Sequence, residues 1–160
     1  MTFQDASEAD LVALEALLGR EPAGRFAVVV RRKTGEPMVI ENEPHLRDGT
    51  PMPTLYWLVD RDLHEAVSRI EGEAGVHRYE DLTDPDALQA AHDEYARKRA
   101  VATVHHELVQ PTGGVGGTRI GVKCLHAHLA NFLVGNADPV GELVSTEVEL
   151  PEFVILDVRA

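Results

Sequence analysis

The residues able to do chemistry crowd into one stretch of this chain. It runs Gly113-Gly114-Val115-Gly116-Gly117-Thr118-Arg119-Ile120-Gly121-Val122-Lys123-Cys124-Leu125-His126-Ala127-His128. Consecutive backbone N–H groups in a glycine-rich turn can converge on an anion, and a helix N-terminus adds partial positive charge. The pattern predicts a helix starting near Thr118 or Arg119, with Val122, Leu125, Leu129, Phe132 and Leu133 as its apolar stripe. On that helix Arg119 and Lys123, four apart, project from one face. An arginine grips phosphate or carboxylate with two hydrogen bonds. Gly116, Gly117, Thr118, Arg119 and Lys123 are therefore the candidate ligand-binding residues. Gly116 to Gly121 has the spacing of a P-loop, but Val122 stands where the lysine belongs, and the dinucleotide fingerprint fails as well. A plain linker leading into an amphipathic helix with surface basic residues is the structural alternative.

Cys124, His126 and His128 are the candidate catalytic residues. Cys124 and His128, four apart, would share a helix face at a spacing that suits zinc. His105, His106, Glu107 and Asp138 are candidates for further ligands. His126, two residues from each, would point elsewhere. A thiol near a helix N-terminus and beside Lys123 is also a candidate nucleophile, with a histidine as its base. Cysteine phosphatases place the cysteine before the phosphate loop, whereas here it follows. Against both readings stands a buried structural cysteine with histidines bonded inside the core. The sequence names no metal and no cofactor. His64, His77 and His92 read as isolated surface residues, and Arg97-Lys98-Arg99 as a solvated helix face.

These residues need elements to hold them. Ser7 caps a first helix with Leu11, Leu14, Leu17 and Leu18 at helical spacing, ended by Gly19. Phe26–Arg31 and Pro37–Ile40 read as an antiparallel hairpin, and Thr54–Val59 as a third, buried strand. On that strand Tyr56 and Trp57 point to opposite faces, so at most one lines a pocket with ease. Asp60 caps a helix stopped by Gly72 and Gly75. Asp84-Pro85 opens another, lined by Leu88, Ala91, Tyr95 and Ala102. The expected fold is α+β: a small antiparallel sheet of about three strands packed by four or five helices. Residues 1–144 form one domain in this reading, and residues 145–160 an acidic tail or an added edge strand.

The net charge of -12 and the 44% hydrophobic content favour a well-cored acidic protein with no nucleic-acid partner. No apolar run approaches a membrane span. The start, Met-Thr-Phe-Gln-Asp-Ala-Ser-Glu, is polar and acidic rather than a signal peptide. With Cys124 alone, no internal disulfide forms, which suits a cytoplasmic location. The acids are unevenly placed: none stands between Glu107 and Asp138. Such a gap marks either a region that meets an anion or plain buried core.

Several phrases carry a resemblance: Leu18-Gly19-Arg20-Glu21-Pro22, Asp48-Gly49-Thr50-Pro51-Met52-Pro53-Thr54-Leu55-Tyr56-Trp57-Leu58, the block from Gly116 to His128, and Asp138-Pro139-Val140-Gly141. Over roughly residues 11–144 the chain resembles the bacterial family catalogued as domain of unknown function 501. The resemblance implies no established activity. Members often carry a cysteine near the first hairpin, where Arg32 and Lys33 stand here.

The leading expectation is a small anionic, phosphate-bearing ligand held by the loop, with histidine acid–base chemistry. One alternative is a non-catalytic protein-interaction module working through the acidic surface and the Phe153–Leu156 patch. Another is a metal-binding protein or metal-dependent hydrolase using Cys124 and His128. Catalysis and oligomeric state are not legible at this level.

Overall fold

The computed structural model describes residues 6–158; Met1–Asp5, most of the polar start, lie outside them. Among the described residues there are six α-helices and four strands. The strands are β1 (Phe26–Arg32), β2 (Pro37–Asn42), β3 (Tyr56–Leu58) and β4 (Phe153–Ile155), in the order β3-β2-β1-β4 with every neighbouring pair antiparallel. The helices are α1 (Glu8–Leu18), α2 (Arg61–Gly72), α3 (Gly75–Leu82), α4 (Pro85–Ala102), α5 (Leu125–Leu133) and α6 (Pro139–Glu147). This is an α+β fold.

Side-chain alternation along the hairpin divides the core in two. Phe26, Val28 and Ile40 face one way and pack with Leu14 of α1. Ala27, Val29, Met38, Tyr56 and Leu58 belong to the larger cluster, with Leu63 and Val67 of α2, Tyr95 of α4, Leu125 and Leu129 of α5, and Val140 and Val144 of α6. The sheet is thus covered by α1 on one face and by the later helices on the other. The fourth strand comes from the apolar patch of the tail. Ile155 pairs with Val30, and the Leu156 N–H donates to the Val29 carbonyl at 2.8 Å.

Capping explains where several helices begin. Ser7, Asp60, Asp84 and Asp138 each accept a backbone N–H of the following first turn, which satisfies donors that the helix itself leaves unpaired. Asp60 also holds Arg32 in a two-pronged ion pair, at 2.6 and 2.9 Å, and Asp62 adds a third contact. The end of β1 is thereby tied to the start of α2. The helix capped by Asp60 stops at Gly72 as expected, but a further helix follows it directly. Ala74 turns the chain at φ 60 and α3 starts at once. A side chain on Gly75 would lie 2.5 Å from the Ile70 carbonyl oxygen.

Two surface assignments from the sequence are overturned. His92 is 2% exposed and Arg99 4%. Both sit on the buried face of α4, because each is recruited to hold loop carbonyls. Arg99 donates to the carbonyls of Pro53, Pro111 and Gly113, joining the proline-rich loop to the glycine-rich one. Among the described residues no helix is long and apolar enough to cross a membrane.

Candidate functional site

A cleft of about 610 Å³ runs past β3, between the end of α1 and the facing parts of α2 and α5. Because β3 is an edge strand, the cleft meets both faces of the sheet. Tyr56 and Trp57 therefore both line it, contrary to the expectation that only one would. Leu17, Leu18, Leu58 and Ala127 extend the apolar wall. The Arg61 side chain, at the first turn of α2, is exposed and makes no hydrogen bond or ion pair among the described residues. Cys124 and His126 line the cleft as well, and so does Gly116.

The helix carrying these groups starts later than the sequence suggests. Gly113, Gly116, Gly117 and Gly121 all adopt positive φ, which an α-helix does not accommodate. The chain therefore stays irregular until Cys124, the N-cap of α5, whose own backbone is extended at φ -143, ψ 114. Arg119 and Lys123 precede the helix and do not share a helical face. Both are exposed, and neither lines the cleft. The same shift breaks the expected Cys124–His128 pair, since four-residue spacing brings side chains together only inside a helix.

The glycine-rich loop uses its amides internally. The Gly114 N–H donates to Thr118 O, Gly117 N–H to Gly114 O, and Val115 N–H to His92 Nδ1. His92 Nε2 donates to Gly121 O at 2.8 Å, so this buried ring clamps the loop at two points. Glu80 accepts the Val122 N–H at 3.0 Å and Glu71 the Leu125 N–H at 2.7 Å. Carboxylates of the protein thus stand at the ends of the segment.

Glu71 is the site residue that the sequence reading missed. Its Oε1 lies 3.2 Å from His126 Nδ1, and Cys124 Sγ lies 3.9 Å from the same nitrogen. His126 does not point away from Cys124, because the bend at the N-cap turns the two side chains to one side. The other ring nitrogen, Nε2, meets Ser68 Oγ and the His64 carbonyl, each at 3.1 Å. The His64 ring lies 4.4 Å from that of His126, centroid to centroid. A signal for these partners was present: His64, Ser68 and Glu71 stand at i, i+4 and i+7, one face of α2. His64 is therefore a cleft residue rather than an isolated one.

Charge follows this geometry. Burial is the largest influence on His126 and opposes its protonation. The Cys124 sulfur, the Glu71 carboxylate and the His64 carbonyl together outweigh burial and hold its pKa above the ordinary imidazole value. His64 moves the other way, pushed down by burial and by neighbouring His126.

His128 belongs to a different centre. It is fully buried, and its Nδ1 donates to both Asp138 oxygens at 2.9 Å. Asn131 and the Gly141 N–H bond the same carboxylate. Asp138 thus caps α6 and fixes α5 to it. His105 pairs with Glu107 at 3.4 Å on the loop after α4. Among the described residues, only Glu71, Cys124 and His126 gather as a possible ligand set, so His105, His106, Glu107, Asp138 and His128 are not brought to Cys124.

Fold and site together define an α+β protein with a cleft at the sheet edge, lined at one end by a cysteine and a histidine, with Glu71 beside that histidine. The chain belongs to the family described as Protein of unknown function (DUF501), whose model matches residues 28–146. That span includes every cleft residue named above except Leu17 and Leu18. No curated protein matches the chain, and no solved structure does.

Proposed function

We propose that the chain binds a small anionic ligand with an apolar body in the cleft beside β3. The observation carrying this reading is Arg61, a guanidinium without a protein partner among the described residues, at a wall that is largely apolar apart from His64 and Glu65 on the same helix. Such a site favours a molecule whose phosphate or carboxylate meets Arg61 and whose body lies against Trp57 and Leu17. The opposite end of that molecule reaches Cys124 and His126. In the metal-free chain the imidazole, held above its ordinary pKa, supplies a proton there to a developing negative charge. The anionic ligand expected from the sequence is thus retained, but its seat moves from the glycine-rich loop to the cleft. Gly116 is the point where loop and cleft meet.

Thermal unfolding with phenyl phosphate, phenylacetate and inorganic phosphate tests this reading. A ligand at a hundred times its Kd stabilises by about 2.7 kcal/mol, which for a chain of this size is a shift of several degrees. The two aryl anions are expected to stabilise the wild type more than inorganic phosphate does, and Arg61→Gln to lose that shift. An equal shift in Arg61→Gln, lost instead in Arg119→Ala/Lys123→Ala, would return the site to the loop.

A further inference from the structure

We propose that Glu71, Cys124 and His126 form a binding site for a divalent transition metal ion of the zinc class. Their donor atoms, a carboxylate oxygen, a sulfur and a ring nitrogen, all lie within 4.8 Å of one another. They come from two elements: α2 supplies Glu71, while the N-cap and first turn of α5 supply the others. All three residues are part-buried, and Cys124 and His126 open onto the cleft.

The hydrogen-bond pattern around His126 is the stronger argument. A carbonyl oxygen can only accept, so the His64 carbonyl at 3.1 Å is satisfied when Nε2 carries the hydrogen, and Ser68 Oγ, also at 3.1 Å, can then accept from the same nitrogen or donate elsewhere. In the neutral ring, Nδ1 then carries a lone pair, and that lone pair faces Glu71 Oε1 at 3.2 Å and Cys124 Sγ at 3.9 Å. The thiol hydrogen can satisfy one of these acceptors. The carboxylate and the imidazole remain lone pair against lone pair. A cation bound among the three removes the conflict. A histidine metal ligand commonly has its second nitrogen donating to a carbonyl or similar acceptor, which fixes tautomer and ring orientation. Glu71 is oriented in turn by the Leu125 N–H at 2.7 Å.

The donor set selects the metal class. Thiolate and imidazole disfavour magnesium and calcium, and a mixed sulfur, nitrogen and oxygen set suits zinc and its neighbours. Three protein ligands match the catalytic rather than the structural type of zinc site, in which water or substrate completes the shell. Binding converts the Cys124 thiol to thiolate and releases its proton to solvent. The alternative occupant is a second proton on Nδ1, which would bridge the same atoms.

The test uses the full chain with any affinity tag removed, purified without chelator and with no organic ligand present. It therefore fails or succeeds separately from the proposal for the cleft. Elemental analysis is expected to find one zinc-class ion per chain. Cobalt(II) added to metal-stripped protein is expected to produce thiolate-to-cobalt charge-transfer absorption, absent in Cys124→Ser. Ser68→Ala, which touches only the far side of the ring, is expected to weaken cobalt affinity about 10- to 100-fold. Folded wild-type protein with substoichiometric metal and no charge-transfer band on cobalt addition would overturn the site and leave the proton as occupant.

Discussion

His92 and His126 carry opposite electrostatic demands within one small protein. Burial pushes His92 down, the Gly121 carbonyl pulling it part of the way back and His128 adding to the fall. The folded chain thus resists protonating His92 at a pH where the unfolded chain accepts the proton. Its contribution to stability is complete above the unfolded value of about 6.5 and is lost as pH falls from there toward the folded value. His126, raised in the fold, contributes below about 6.5, and that contribution is lost as pH rises through its folded value. In metal-free protein, imidazole nitrogen resonances followed across about pH 5 to 8 are expected to separate the two rings, His92 titrating below His126. Coincident titration of both rings would contradict the environments described. Asp138 is a second test at this level. Asp138→Ala leaves buried donors on His128, Asn131 and Gly141 without their acceptor, and the expected cost is about 3 kcal/mol or more, read by denaturant unfolding. Cys124 and His126 were legible in the sequence because a thiol beside histidines announces itself. Glu71 was not, because a surface-type glutamate on an amphipathic helix looks like solvation until a distant N-terminus arrives beside it.

Most helices were readable because their punctuation is local. Ser7, Asp60 and Asp84 cap where their spacing says they should, and Pro85 opens α4. The start of α5 was misplaced, since apolar periodicity beginning at Val122 does not reveal that Gly121 sits at φ 67. What holds that segment off the helix is non-local: Glu80, Glu71 and His92 accept its amides. Glu71→Ala removes the acceptor at the N-terminus of α5, where Cys124 makes no capping bond of its own. The expected destabilisation is about 1 kcal/mol, seen as earlier unfolding in urea. Gly114 gives a sharper test. A Cβ there would lie 2.5 Å from both Cβ and Nδ1 of the buried His92. Gly114→Ala is expected to cost about 1–3 kcal/mol, whereas Gly117→Ala, which meets no atom within 4 Å, carries only the strain of its positive φ, on the order of 1 kcal/mol. Equal unfolding midpoints for wild type and Gly114→Ala would contradict the packing of loop on ring.

For the molecule as a whole, the α+β class followed from the pattern of a hairpin, a third strand and amphipathic helices. The fourth strand was left open because three residues of tail carry too little signal. Val154, Ile155 and Leu156 stay exposed, yet the strand is bonded along β1, so the tail is part of the sheet that backs the core. Deleting residues 150–160 is expected to lower the unfolding temperature and to expose the β1 edge to self-association; unchanged unfolding would mean that β4 adds nothing to the sheet. The cleft lies at the opposite edge, beyond β3, and there the central claim is tested most directly. Nitrogen-15-labelled protein titrated with phenyl phosphate reports, residue by residue, where an aryl anion sits. The account predicts saturable shifts at the Trp57 indole, the Arg61 side chain and the His126 amide, with Arg119 and Lys123 unmoved. Shifts centred on residues 113–123, with Trp57 and Arg61 silent, would contradict it.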